Sequence, residues 1–318
     1  MTVLTVIFTI LLFLAAATLL IAYLCFRMGF YAPRNKKETD SDAIEIPEGE
    51  IYEPYRPKME AWIREVRAMP REHFTITSFD GLELHADFFE YAPGAPMEIM
   101  FHGYRGSAER DLSGGVQRCF RLKRSVLLVD QRCSRRSQGD VITFGIKEHR
   151  DCLSWVDFAA NHFGPDVKII LTGISMGAAT VSMTADKGLP PNVLGILADC
   201  GYTSPKDIIC KVIRDMKLPP KLAYPFVKLG AKLFGHFDLE EDSPEESLKN
   251  ATVPVIFYHG ESDDFVPCDM SRRNYQVCAS RKALITVPGA GHGLSYALEP
   301  QRYLQTLADF FGPEASAE

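Results

Sequence analysis

The sequence predicts an α/β domain: a mostly parallel sheet of eight strands with helices on both faces and a helical lid, preceded by a transmembrane helix. Three observations lead to this prediction. Short apolar runs alternate with helical periodicity from residue 73 onward, which is typical of a parallel sheet covered on both faces. A long segment interrupts this alternation, and the N-terminus is apolar. At 318 residues the chain can form one domain of about 250 residues with appendages.

The first 27 residues predict a transmembrane anchor. Residues 2–26 contain no charged side chain, and a membrane span needs about 20 apolar residues. A secretory signal peptide is the alternative, but it normally begins with basic residues and has a shorter apolar core. Nothing basic precedes this run, so the sequence favours a retained anchor over a cleaved signal.

The charges beside the apolar run predict its orientation. The nearby basic residues all follow it, namely Arg27, Arg34, Lys36 and Lys37. The positive-inside rule then places the catalytic domain in the cytoplasm, behind a single pass of the cell membrane. Eight scattered cysteines without a CxxC pair agree with a reducing compartment. Residues 28–54 are interpreted as a linker.

The domain is assigned to residues 55–318, and its elements have local signals. An amphipathic stripe over 55–69 predicts a leading helix, and the Asp80-Gly81 turn predicts a hairpin. The predicted strands are 73–78, 82–91, 98–101, 125–130, 167–173, 193–198, 253–259 and 283–287. Further helices are predicted at 146–163 and 303–311.

The segment near 201–250 is too long for an ordinary connection between two strands. It contains two apolar stripes with helical spacing, separated by Pro219-Pro220. These stripes predict helices that form a lid over the carboxyl ends of the strands. An outer helix pair without a role in binding is the alternative.

The pentapeptide Gly173-Ile174-Ser175-Met176-Gly177 follows a predicted strand and opens a run of small residues. Strand, Gly-x-Ser-x-Gly and helix in this order indicate a nucleophile elbow, a tight turn that presents the serine hydroxyl. The glycines leave room for that turn, and the serine backbone is expected to be strained. The N–H of Met176 then lies at a helix N-terminus, where it would stabilise an oxyanion.

A serine nucleophile needs a base that takes its proton and a carboxylate that orients the base. In this architecture both follow later strands. His292, in a glycine-rich loop after the last strand, is the candidate base. Asp263, after the preceding strand, is the candidate acid, with Asp264 beside it and Asp199 after an earlier strand as alternatives.

The loop after the strand at 98–101 predicts a second oxyanion donor. Gly103 lets the backbone turn, so that the N–H of Tyr104 points at the oxyanion. His102 in the same loop competes with His292 for the role of base. Because it precedes the serine in the chain, we interpret it as fixing the loop geometry.

Other classes of function have no support in the sequence. It contains no HExxH motif, no Cys/His cluster and no GxGxxG, so no metal or organic cofactor is predicted. The net charge of −6 gives no reason to expect nucleic acid as a partner.

The motifs together resemble the α/β-hydrolase superfamily over residues 73–311. The matching segments are His102-Gly103 (oxyanion loop), Gly173–Gly177 (elbow), His259-Gly260-x-x-Asp263-x-x-Val266-Pro267 (acid) and Gly291-His292-Gly293 (base). The chain is most similar to bacterial serine aminopeptidase-like and prolyl-oligopeptidase-like hydrolases, many of which act as carboxylesterases. It departs from them after Asp130, where Cys133-Ser134-Arg135-Arg136 replaces the family's Gly-His-Gly-x.

The resemblance implies a serine hydrolase that cleaves a small-molecule ester or other acyl substrate through an acyl-enzyme. Peptidase or thioesterase activity of the same fold is one alternative, and a non-catalytic binding protein on a hydrolase fold is another. Arg135 and Arg136 would either favour an anionic substrate group or lie in solvent. The natural substrate and the oligomeric state stay open.

Overall fold

The computed structural model describes residues 3–33 and 43–312 of the chain. The basic residues Arg34, Lys36 and Lys37, on which the predicted orientation partly depends, lie outside the described residues, as does the polar centre of the predicted linker.

Within the described residues, eight strands form one mostly parallel sheet, as the sequence predicted. They are β1 (Glu72–Thr77), β2 (Glu83–Phe89), β3 (Met97–Phe101), β4 (Ser125–Asp130), β5 (Ile169–Ile174), β6 (Val193–Asp199), β7 (Val255–Gly260) and β8 (Lys282–Val287). Their order is β1-β2-β4-β3-β5-β6-β7-β8; β2 pairs antiparallel with β1 and β4, and the remaining pairs are parallel. The carboxyl ends of β3 to β8 therefore meet along one edge of the sheet.

Helices precede, connect and follow these strands. They are α1 (Val3–Gly29), α2 (Arg56–Ala68), α3 (Ala108–Arg121), α4 (Glu148–His162), α5 (Met176–Ser182), α6 (Pro205–Asp215), α7 (Pro220–Phe234), α8 (Pro244–Leu248), α9 (Cys268–Val277), α10 (Ser295–Leu298) and α11 (Pro300–Phe311). The long interruption between β6 and β7 folds as α6, α7 and α8. Ser204 starts α6 as its N-cap by accepting a hydrogen bond from the N–H of Asp207 at 3.0 Å, just before Pro205.

A buried ion cluster supports the central strands. Glu98 of β3 is fully buried and pairs with Arg118 and with Arg124, the latter at 2.7 Å. It also accepts a hydrogen bond from Thr172 of β5 at 2.7 Å. Burial would raise the pKa of Glu98, but the two guanidinium groups lower it to about 2.

The apolar helix α1 is long enough to cross a membrane, with a mean hydropathy of 2.7 in its most apolar window. Most of its side chains are exposed, but Ala22 and Phe26, in its last turns, are buried against the domain. α1 packs on α7 so closely that a Cβ on Gly230 would lie 2.3 Å from the carbonyl oxygen of Ala22. The chain after α1 is also held, because Tyr31 forms an antiparallel bridge with Val141.

Candidate active site

The turn between β5 and α5 has the geometry of an elbow. Ser175 lies at φ 56° and ψ −117°, a strained conformation for a residue with a side chain. A Cβ on Gly173 would lie 2.1 Å from the carbonyl oxygen of Gly177, and a Cβ on Gly177 would lie 2.0 Å from that of Phe101. Both glycines are therefore required by close backbone approach.

The structure brings Ser175, His292 and Asp263 into one hydrogen-bonded chain. His292 Nε2 lies 3.0 Å from Ser175 Oγ, and His292 Nδ1 lies 2.7 Å from Asp263 Oδ2. Because a carboxylate only accepts, Nδ1 carries the proton and donates a hydrogen bond to Asp263. In the neutral imidazole Nε2 is then an acceptor, and the hydroxyl of Ser175 donates to it.

Asp263 is fixed from two sides. Its Oδ1 accepts hydrogen bonds from the backbone N–H groups of Phe265 at 3.0 Å and Val266 at 2.8 Å. Its Oδ2 faces His292 and also His259, whose Nε2 lies 3.2 Å away. Burial would raise the pKa of Asp263, but hydrogen bonds from His259 and His292 lower it to about 2. The Asp263 carboxylate is thus held ionised and in one orientation.

His259 is a supporting residue whose contacts the sequence did not reveal. Its Nε2 lies 2.8 Å from the carbonyl oxygen of Val266, so this nitrogen carries the proton. Its Nδ1 lies 2.6 Å from Ser271 Oγ and accepts from that hydroxyl. The available signal was its position at the end of a buried strand, four residues before Asp263.

Tyr52 is a second residue that the sequence did not single out, since it lies in the segment interpreted as a linker. Its hydroxyl donates to the backbone carbonyl of His292 at 3.0 Å. The imidazole also packs edge-on against Phe265, with ring centroids 5.1 Å apart. These contacts hold the loop that carries His292, and an aromatic residue within a polar segment was the only sequence signal for Tyr52.

The alternative acids make other contacts. Asp199 is buried and accepts a hydrogen bond from the hydroxyl of Tyr303 at 2.8 Å. Burial raises the pKa of Asp199. Asp264 is exposed, and its backbone carbonyl accepts a hydrogen bond from Lys211. The imidazole of His292 thus contacts Asp263 rather than either alternative.

His102 is buried within its loop. Its Nδ1 donates to the carbonyl oxygen of Gly103 at 2.9 Å, and its Nε2 accepts from the N–H of Gln131 at 3.1 Å. Burial lowers the pKa of His102, which agrees with a neutral imidazole that uses both nitrogens for loop geometry.

The two oxyanion candidates have backbone N–H groups that bond to no other described residue in the structure. Met176 begins α5 and Tyr104 follows β3, which lies beside β5. The neighbouring N–H of Gly103 is already used, because it donates to Asp111 Oδ2 at 2.9 Å. The loop therefore leaves the Tyr104 N–H for a ligand.

Two compartments meet at Ser175. One is an apolar cavity of about 460 Å³, and none of its lining residues is charged. The other is a cleft of about 560 Å³ that borders His292, Tyr52 and the polar pair Arg110 and Asp111. The serine thus lies between an apolar side and a mixed polar side.

The arginines of the divergent loop are paired rather than solvated. Arg136 contacts Asp87 at 2.9 Å and Asp130 at 3.0 Å, and Arg135 contacts Glu109 at 3.4 Å. The expectation that they lie in solvent is therefore wrong, because both guanidinium groups are partly buried and held in ion pairs, Arg135 through a carboxylate that also pairs with Arg67.

One group of possible metal ligands occurs in the described part of the chain. The ligand atoms of Cys200, Asp263 and His292 lie within 4.8 Å of one another. Asp263 and His292 already bond to each other, and burial raises the pKa of the Cys200 thiol well above its usual range. A protonated thiol is a poor metal ligand, so the geometry fits a proton-transfer chain better than an ion.

No protein-family model matches the chain. Its sequence is 27% identical over 187 residues to the uncharacterised protein YqkD of Bacillus subtilis. The matched region covers 58% of this chain and 61% of that relative. The match thus spans less than two thirds of that protein.

The fold is similar to that of solved hydrolases. The esterase Pf2001 of Pyrococcus furiosus superposes with a TM-score of 0.63 at 20% identity, over 77% of this chain and 92% of that one. The α/β hydrolase GrgF of a Penicillium species gives a TM-score of 0.59 at 17% identity, over 76% and 98% of the two chains. The chain therefore has the α/β-hydrolase fold.

Proposed function

We propose that the protein is a serine hydrolase that cleaves carboxylic esters through an acyl-enzyme. The observation that carries this proposal is the hydrogen-bonded chain from Ser175 through His292 to Asp263. The three side chains come from separate strand ends of one sheet edge, so their convergence is specific.

The reaction follows from the atoms in contact. Ser175 Oγ attacks the ester carbonyl carbon, and its proton passes to His292 Nε2. The N–H groups of Met176 and Tyr104 stabilise the oxyanion. Collapse of the tetrahedral intermediate breaks the bond to the alcohol oxygen, which takes the proton from His292. Water then attacks the acyl-serine and gives a proton to His292. The bond between the acyl carbon and Ser175 Oγ breaks, Oγ takes that proton back from His292, and the carboxylic acid is released.

The apolar cavity supports an ester rather than a peptide substrate. Its lining contains no charged side chain that would pair with a peptide terminus. Thioester cleavage uses the same steps and is the second activity to test. A binding protein without catalysis has less support, because Ser175 is held in a strained conformation that such a protein does not need.

The proposal includes a retained, single-pass membrane anchor with the catalytic domain in the cytoplasm. Cleavage of a signal peptide would remove this helix from the mature protein. Retention is supported because Phe26 and Phe30 are buried in the domain and Ala22 contacts α7. The orientation rests on Arg27 and the basic residues that follow it.

The test compares wild type with Ser175→Ala on 4-nitrophenyl acetate and butyrate. Ser175→Ala should lower kcat by several orders of magnitude and abolish labelling by a fluorophosphonate probe. Ser154→Ala, on the exposed side of α4, is the matched control and should keep both activities. Equal hydrolysis by wild type and Ser175→Ala would refute the proposal.

A further inference from the structure

The apolar cavity at Ser175 has an unusual wall. One side consists of lid residues such as Ile209 and Val227, from α6 and α7. The other side is the end of the apolar N-terminal helix, through Cys25, Met28 and Gly29. The helix that is long enough to cross a membrane thus also borders the nucleophile.

We propose that the last turns of α1 form one wall of an acyl-chain pocket, so that the membrane anchor is part of the active site. The substrate is then a long-chain acyl ester drawn from the bilayer that α1 occupies. This inference rests on the proposed function, since the pocket would hold the acyl group transferred to Ser175 and released by water.

The contact between α1 and the domain is specific rather than incidental. Gly230 allows α7 to touch the backbone of α1 at Ala22. Beyond the helix, the N–H of Ile142 donates to the carbonyl of Phe30 at 2.9 Å, and the N–H of Ala32 donates to that of Asp140 at 2.8 Å. α1 is therefore joined to the domain both by packing and by backbone hydrogen bonds.

The same helix end also holds the oxyanion loop. The Tyr104 hydroxyl donates to the carbonyl of Gly29 at 2.9 Å. The Arg105 guanidinium donates to the carbonyls of Met28 and Tyr31, each at 3.0 Å. The contacts at Met28 and Gly29 satisfy carbonyl groups that a helix leaves open at its C-terminus. Together the contacts connect the anchor to Tyr104, whose N–H would face the oxyanion.

The lid hairpin, defined as residues 205–234, has the surface of a segment that rests on a membrane. At its tip Met216, Leu218 and Leu222 are 51%, 47% and 69% exposed. The hairpin carries seven Lys or Arg and two Asp in a chain of net charge −6. Lys217 and Lys221 at the tip are exposed and form no ion pair with the described residues. Basic and apolar groups together favour the anionic cytoplasmic leaflet.

The cavity has room for a long chain. Its volume is about 460 Å³. A methylene group takes about the space of a water molecule, about 30 Å³, so roughly ten or more carbons can enter. Each buried methylene adds hydrophobic binding energy, and an ester with a long chain should therefore react better than an acetate.

The test narrows the pocket from each wall. Cys25→Trp fills it from α1 and Ala223→Trp fills it from α7, whereas Leu24→Trp is the matched control because Leu24 is exposed and does not border the cavity. The full chain in mixed micelles is assayed with 4-nitrophenyl dodecanoate and acetate. Both pocket variants should lose about tenfold or more in kcat/KM for dodecanoate while acetate hydrolysis is kept, and Leu24→Trp should match wild type on both.

The outcomes separate the two proposals. If wild type shows no Ser175-dependent acetate hydrolysis, the proposed function fails. If acetate hydrolysis is present but Cys25→Trp keeps its dodecanoate rate, or loses both rates by equal factors, α1 is not a wall of the acyl pocket and the proposal is refuted, whatever Ala223→Trp does.

The source of the ester is tested in vesicles of phosphatidylcholine and phosphatidylglycerol that contain the full chain. A fluorogenic oleoyl ester is placed either in the same vesicles or in separate ones. Delivery from the bilayer predicts much faster hydrolysis in the shared vesicles. Equal rates in the two arrangements would overturn it.

Discussion

Asp263→Asn is the most informative substitution, because the structure determines how the new amide must orient. Oδ1 accepts two backbone N–H groups, from Phe265 and Val266, so the amide oxygen of Asn has to stay at that position. The NH₂ group then occupies the place of Oδ2, where it faces His292 Nδ1 at 2.7 Å. Two donors cannot bond to each other, so His292 must shift its proton to Nε2.

A proton on Nε2 prevents His292 from accepting the proton of Ser175. Loss of the correct tautomer in a Ser-His-Asp triad lowers kcat by about 10⁴, or about 5 kcal/mol of transition-state stabilisation. His259 loses its contact with Oδ2, but its Nε2–H keeps the carbonyl of Val266 as an acceptor, so the fold should survive. We therefore expect Asp263→Asn to retain near-native thermal stability while nearly all butyrate esterase activity is lost.

The assay measures kcat on 4-nitrophenyl butyrate and the rate of fluorophosphonate labelling. Both are measured at about pH 7.5, where an ordinary imidazole is mostly neutral. Asp264→Asn is the matched control. Asp264 is the next residue in the chain, and its carboxylate is exposed and does not contact the imidazole of His292. Activity of Asp263→Asn within tenfold of wild type, or an equal loss in Asp264→Asn, would contradict the assignment of the acid.

Two further predictions concern stability. Gly177→Ala should fail to fold or unfold at much lower temperature, because its Cβ would meet backbone atoms that cannot move aside; Gly29→Ala, where no atom lies within 4 Å, should change the melting temperature little. Glu98→Gln should cost about 3–5 kcal/mol of unfolding free energy, measured by urea denaturation, since it leaves two buried guanidinium groups uncompensated. Because the pKa of Glu98 is about 2 in the folded state and 4.5 ordinarily, its stabilisation is present above pH 4.5 and is lost as the pH falls toward 2. Glu98→Gln should lose this part of the acid dependence, whereas the exposed Glu90→Gln should retain it; identical acid profiles for the two variants would contradict the role of the cluster.

The fold could be predicted from sequence because its signals are local. Apolar strands, turn residues and the Gly-x-Ser-x-Gly elbow each depend on a few neighbouring residues, and their order restricts the topology. Ser175, His292 and Asp263 could be predicted as site residues for the same reason, since each follows a strand whose carboxyl end lies on the shared edge. Their roles as nucleophile, base and acid stay predictions until activity is measured.

The remaining contacts join residues that are distant in the chain and carry no local pattern. Tyr52 reaches the backbone of His292 across 240 residues, and Tyr104 reaches Gly29 across 75. The packing of α1 on Gly230 has the same character, since a lone glycine in a helix does not indicate which backbone approaches it. Such contacts depend on the assembled fold.

The divergent loop after β4 illustrates how structure changes the meaning of a sequence difference. Arg135 replaces a glycine of related hydrolases and Arg136 follows it, and an extra positive charge near a site entrance would ordinarily indicate an anionic substrate. Here each arginine is paired with carboxylates, Arg136 with Asp87 and Asp130. The loop instead contacts the segment that follows β3, because the Ser134 hydroxyl donates to the carbonyl of Gly106 at 3.0 Å. Substrate preference should therefore depend on the uncharged cavity at Ser175 rather than on these arginines.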